Sequence, residues 1–351
     1  MKLRNVLFVF LCSIAVTSFV AAEGGERPEL KFGKNGKFKI MQMTDLHYEY
    51  SLKHGKPEHT LELVEKAIKV VQPDLIMLTG DIVSLFATPQ EERTPQLTLQ
   101  AWSDIIRLLE ASKIPWAVTF GNHDREFLLT NREIIEFLQQ HPHNLTVNGP
   151  ENISGNGNYV LEVASSKQPG KTAAALYCFD SKSQDKWISY DQINWYGEQS
   201  RSLTAQNGGE PLPALAFFHI PLREYWDIFK KPGTIGIQDE DVCAQDINSG
   251  LLAAFYDQKD VMGMFVGHDH NNNYIGCLHN ICLAYGYTSG CQAYGEYGRG
   301  VRVIELTEGK RTFTTWLLKL FNCVHTQRSW SPVEEIKPEY LVTYPDSFVK
   351  E

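Results

Sequence analysis

Six short runs of aliphatic, aromatic and β-branched residues do most to limit what this chain can fold into: Phe38 to Met43, Leu75 to Leu78, Trp116 to Phe120, Ala174 to Phe179, Ala214 to Phe218 and Val261 to Val266. Strands that are apolar along nearly their whole length need cover on both faces, as in an α/β sheet. Helical stripes lie between some of them. Leu61, Val64, Ile68 and Val71 recur at helix spacing and stop at Pro73. Trp102, Ile105, Ile106 and Leu109 do the same before Pro115, and Ile134, Ile135 and Leu138 form a third stripe. Each stripe reads as core packing, and the alternation favours a layered α/β domain over a β-sandwich. Later, Gly300 to Leu306 and Thr312 to Leu318 alternate as paired strands do. The polar stretch from Thr88 to Gln100 reads as a loop near the site, Gln206 to Pro213 as another loop, and residues 327–351 as a peripheral tail.

Metal-capable residues fall at the ends of these runs. Asp45-Leu46-His47 follows the first, Gly80-Asp81 the second, Gly121-Asn122-His123-Asp124 the third, His219 the fifth and Gly267-His268-Asp269-His270 the sixth. In open α/β sheets ligands bind beyond the carboxyl ends of the strands, so five distant segments are expected to converge on one crevice. Each motif alone is weak, since Asp-x-His and Gly-Asp are more often ordinary turns than ligands. Their joint occurrence in this order carries the argument.

Imidazole and carboxylate donors suit zinc, iron or manganese, and nothing in the set calls for copper(I) or an iron-sulfur cluster. A carboxylate can bridge two metals through its two oxygens. Two cations about 3.5 to 4 Å apart share a hydroxide nucleophile and stabilise both attacking and leaving oxygens of an in-line displacement, which fits phosphoryl transfer. The other histidines, His54, His59, His141, His143, His279 and His325, follow no strand in this pattern and read as surface or core residues.

With these motifs assembled, the chain resembles the calcineurin-like metallophosphoesterases, and more closely the short plant purple acid phosphatase-like proteins. Phe217-Phe218-His219-Ile220-Pro221-Leu222, Asp191-Gln192-Ile193-Asn194-Trp195 and Gly298-Arg299-Gly300-Val301-Arg302 add to the likeness, which runs from Phe38 to about Leu318. The resemblance implies a four-layer α/β/β/α sandwich over residues 23–326. It puts one metal on Asp45, His47, Asp81 and His270, and a second on Asp81, Asn122, His219 and His268, with Asp81 bridging. It makes His123 the proton donor to the leaving oxygen, with Asp124 holding its imidazole in the right tautomer.

Two departures stand out. Purple enzymes carry glycine two places after the first aspartate and tyrosine three places after the second, where this chain has His47 and Ser84. Without that tyrosinate the protein is expected to be colourless. Similar proteins have been labelled inactive, yet His47 resupplies a ligand as in non-purple relatives. The resemblance implies two metal ions, iron with zinc or manganese, and hydrolysis of a small phosphate monoester. Phosphodiester cleavage and a catalytically silent metal-binding scaffold are the alternatives.

A net charge of -9 argues against a groove that tracks nucleic acid, which needs clustered Lys and Arg. Residues 1–22 read as a signal peptide, with Lys2 and Arg4, an apolar block from Val6 to Val20, then Ala21 and Ala22. No second apolar segment of that length occurs, so stable membrane insertion is not expected and secretion is, to the extracellular space, cell wall or vacuole. Asn144-Leu145-Thr146 and Asn152-Ile153-Ser154 match the glycosylation sequon in a Gly/Asn/Pro-rich stretch expected to be an exposed loop. Of the cysteines left after Cys12, Cys277 and Cys282 flank a short segment and are the expected local disulfide.

Overall fold

The computed structural model describes residues 27–124, 128–324 and 329–348; the expected signal peptide lies outside them. Two β-sheets pack face to face with helices on their outer faces. The first is seven-stranded. It contains β1 (Lys37–Met43), β2 (Leu75–Thr79) and β3 (Trp116–Thr119), which run parallel in that order. Three helices cover its outer face: α1 (Pro57–Val71), α2 (Pro95–Ser112) and α3 (Asn131–Leu138). The second sheet is six-stranded, in the order β4-β5-β6-β7-β9-β8. These strands are β4 (Tyr159–Ala164), β5 (Thr172–Cys178), β6 (Ala214–Phe217), β7 (Val261–Val266), β8 (Ile275–Leu278) and β9 (Ile281–Tyr285). It is covered by α4 (Tyr190–Gln206), α5 (Tyr225–Ile228) and α6 (Leu251–Gln258).

The inner core is the interface of the two sheets. Phe38, Ile40, Leu75, Met77 and Ala117 from one meet Leu176, Leu215, Phe217, Phe265 and Ala284 from the other. Both faces of β2, β6 and β7, and of β1 from Ile40 onward, are thus dry, which is why these strands read as apolar runs rather than alternations. The helices start where the chain provides caps. Thr94 accepts from Leu97 N ahead of Pro95, and Thr130 with Glu133 forms a capping box on α3. The stretch read as a loop from Thr88 is therefore corrected: Pro95 at N1 opens α2 there, because proline costs a helix nothing at its first turn.

The expected terminal pair is β10 (Arg299–Thr307) and β11 (Phe313–Val324), antiparallel to each other, with β10 beside β1. Residues beyond 328 are more than a tail. β12 (Ser329–Pro332) and β13 (Pro338–Tyr344) both pair with β11 and extend the sheet edge. Cys277 and Cys282 are disulfide-bonded directly across the β8–β9 hairpin. The two sequons part company. Asn152 is exposed on a turn, whereas Asn144 is buried, its carboxamide donating to Thr146 Oγ1 (3.1 Å) and accepting from Thr146 N (3.1 Å). The expectation of an exposed loop is corrected at Asn144.

Candidate metal centre

The loops leaving β1, β2, β3, β6 and β7 meet at one end of the sandwich. Their close approach is visible at two glycines. A Cβ on Gly121 would lie 2.0 Å from Asp81 Oδ1, and one on Gly267 would lie 2.0 Å from Thr44 Oγ1. Only glycine lets these backbones pass so near a neighbouring loop. Asp45, His47, Asp81 and His268 all have positive φ, between 44° and 81°. Side-chain residues adopt that backbone rarely, and such conformations gather at functional sites because the surrounding fold must hold them.

Seven of the side chains expected to bind metal converge. His270 Nε2 is 3.3 Å from Asp45 Oδ1 and 3.2 Å from His47 Nε2. His219 Nε2 is 3.1 Å from Asp81 Oδ2, the oxygen that also lies 3.6 Å from His47 Nε2. Asp81 therefore stands between two groups of donors. One is Asp45, His47 and His270; the other is Asp81, His219 and His268. Asn122 lines the same pocket.

These residues fit cations better than they fit one another. Asn122 Oδ1, His219 Nε2 and His268 Nε2 are buried without a hydrogen-bond partner. The His219–Asp81 approach is close but lacks the alignment of a hydrogen bond. A buried polar atom left unpaired costs about 1–3 kcal/mol, so several in one place mark a spot where donors face a ligand instead. The far ring nitrogens are already committed: His219 Nδ1 bonds Thr79 O (2.8 Å) and His270 Nδ1 bonds Tyr294 O (3.2 Å). Such bonds fix the tautomer and leave Nε2 free to coordinate.

The electrostatics follow from burial and crowding. Burial pushes the Asp45 carboxyl up, but His270 and His219 outweigh it and hold it at about 2. Burial holds His47 and His268 down at about 3, in the neutral form that binds metal. Burial works against charge on His219 too, yet Asp81 and Asp45 raise it to about 10. Two carboxylates beside one imidazole make this a strongly negative spot that attracts cations.

Asp124 does not hold His123. Its two oxygens accept from the backbone N–H groups of Asp81, Ile82 and Gly121 at 2.8 Å and Val83 at 3.2 Å. It staples the β2 and β3 loops together instead. Burial and the neighbouring Asp81 nonetheless raise it to about 6. Asp81 Oδ1 accepts from His123 N (2.9 Å), so the backbone of His123, if not its ring, is set by the central carboxylate.

Five of the donors, His47, Asp81, Asn122, His268 and His270, form the floor of a pocket of about 420 Å³, and Asp45 and His219 are buried beside them. Its walls include Glu49, His54, Ser84, Phe86, Glu240 and Tyr294. His54 was set aside by its sequence position, and the structure brings it to the pocket. Arg299 was seen only as part of a likeness. Buried at 1% exposure, it donates to the carbonyls of Gly290, Ala293, Tyr294, Gly295 and Gly298 and so shapes the whole 290–298 loop. That loop in turn grips the metal-binding loop after β1, through Ser289 N to Thr44 O (2.9 Å) and Gly290 N to Asp45 O (3.1 Å). An arginine set among glycines was the available signal.

Comparison with known proteins agrees with this geometry. The description "Calcineurin-like phosphoesterase" matches residues 38–272. A protein of Arabidopsis thaliana called probable inactive purple acid phosphatase 29 is 31% identical over 345 residues, 88% of this chain and 86% of its own. Phosphatase DCR2 of Saccharomyces cerevisiae is 31% identical over 317 residues, 80% of this chain and 53% of its own. A dimetal phosphatase from Danio rerio shares the fold with a TM-score of 0.55 at 13% identity, over 79% of this chain and 95% of its own.

Proposed function

Because the chain belongs to the calcineurin-like phosphoesterase family, we propose that it is a secreted, metal-dependent phosphatase that hydrolyses phosphate monoesters, with phosphodiester cleavage as a subsidiary activity. The observation that carries this reading is the convergence of seven N/O donors, three of them with buried polar atoms left unpaired, around a central carboxylate. Asp45, His47, Asp81 and His270 would hold one cation, and Asp81, Asn122, His219 and His268 the other. Iron with zinc or manganese suits this donor set. Bound there, such a pair supplies positive charge that polarises phosphoryl oxygens and makes water acidic enough to attack at neutral pH.

The chain's own groups do the rest. The floor orients the phosphate through residues fixed by the strand ends. His123 lies beside His47 at a ring separation of 5.3 Å, within the same pocket. It gives a proton to the departing oxygen, which removes the cost of expelling an alkoxide. Ser84 stands where purple enzymes have tyrosine, which removes a chromophore and leaves every proposed donor in place. The word inactive in the plant protein's name therefore does not transfer to this site by geometry.

The test is metal analysis of the purified secreted form together with assays of p-nitrophenyl phosphate and its bis ester across pH. His123→Ala is expected to keep its metal and lose about 10²-fold to 10⁴-fold in kcat. Wild type and variant turning over equally slowly with metal bound would establish a silent scaffold instead.

A further inference from the structure

The pocket floor and two of its walls form one continuous row of rings. Phe86 meets His123 edge-on at 6.3 Å between centroids, His123 meets His47 at 5.3 Å, His47 meets His270 at 4.9 Å, and His270 stacks on Tyr294 at 3.8 Å. The row has a carbon ring at each end and three imidazoles between. Phe86 ends it beside the proposed proton donor; Tyr294 ends it beside a proposed metal ligand.

Phe86 is 63% exposed, and an exposed phenylalanine alone needs no explanation. This one is held in place. Phe86 N donates to Ser84 Oγ (3.2 Å), and Arg93 Nη2 donates to Phe86 O (3.1 Å) while Arg93 Nε bonds Thr88 O (2.9 Å). Arg93 thus ties the loop from two carbonyls, and the ring is presented to the pocket with much of its surface uncovered. Phe86 also lines the pocket beside His123, the proposed proton donor to the departing oxygen.

Resting on the phosphatase reading above, we propose that Phe86 is a specificity-determining residue that selects phosphate esters whose leaving alcohol carries a flat aromatic ring. In the reaction the P–O bond to that alcohol breaks with its electron pair on the alcohol oxygen, a water oxygen forms the new P–O bond and releases one proton to solvent, and His123 gives its proton to the departing oxygen and regains one from solvent. The aromatic ring of the alcohol packs against Phe86 as this happens. An offset or edge-to-face aromatic pair adds stabilisation beyond simple area burial, and at this position it is present while the bond breaks.

The experiment compares benzyl phosphate with propyl phosphate, two primary esters whose alcohols leave with similar acidity, on the metal-loaded protein. Wild type is expected to favour the benzyl ester by about 10-fold in kcat/KM. Phe86→Ala should bring that ratio near 1, and Phe86→Tyr should restore it. Because Phe86 is exposed, both variants are expected to fold, and equal metal content in all three proteins checks this. An equal ratio in wild type, or one unchanged in Phe86→Ala, overturns this inference while leaving the phosphatase reading intact. Hydrolysis of neither ester, nor of p-nitrophenyl phosphate, overturns both.

Discussion

Among the metal-binding donors at and beneath the pocket floor, Asp45, Asp81 and His219 are 1%, 1% and 0% exposed, whereas on the walls Phe86 and Tyr294 are 63% and 43% exposed. The floor residues follow directly from strand ends, and their positions are set by sheets whose faces are dry. The wall residues ride on loops, held by hydrogen bonds from arginines a few residues further along the chain. Floor and wall thus answer to different forces, hydrophobic packing of the sandwich in one case and a few polar ties in the other. Damage to the floor should abolish binding and chemistry together, while damage to the walls should alter degree and choice.

The sharpest way to break this contrast is Asp81→Ala. Removing the shared carboxylate should eliminate stoichiometric binding of both cations and lower activity by about 10³-fold or more, read by metal analysis and initial rates. Two metals per chain in that variant would refute the bridging role. Arg299→Ala probes the tie between wall and floor. Its effect should be selective: the cation beside Asp45, His47 and His270 is held about 10-fold to 100-fold less tightly, while the one beside His219 and His268 is retained. Arg299→Lys should rescue little, since one ammonium cannot reach five carbonyls arranged for a planar fork. Equal loss of both cations would show a general role in folding instead.

The smallest effects lie far from the pocket. In secreted protein, Asn152→Gln should remove one glycan and shift electrophoretic mobility by one step. Asn144→Gln should leave mobility unchanged and reduce stability by about 1 kcal/mol, because it breaks the bonds Asn144 makes to Thr146. A mobility shift for Asn144→Gln would mean that the side chain is modified before this turn closes.

The floor was legible in the sequence because each donor follows an apolar strand within a few residues, so local order carried the spatial information. That the segments carrying Asp45, Asp81, Asn122, His219 and His268 meet needed only the rule that parallel strands end together, whereas their division into two ligand sets came from the family resemblance. The walls were not legible for the opposite reason. Glu240 reaches the pocket by accepting from Tyr294 OH and Asn271 N, partners 54 and 31 residues away. Nothing in the residues beside Glu240 announces either contact. His54 was misjudged in the same way. Asp124 shows a third kind of error: its adjacency to His123 suggested a partnership, but backbone amides took the carboxylate. β13 was missed because an edge strand has little apolar pattern to display, with only Val342 of its residues buried.

The left-handed backbone at Asp45, His47, Asp81 and His268 also constrains how such a protein changes over generations. Branched and bulky replacements are barred at those points by the main chain itself, whatever the reaction demands. Inherited variation is thereby steered outward to the exposed rim, where a changed side chain costs the fold little. New preferences for esters can then arise on an unaltered catalytic base.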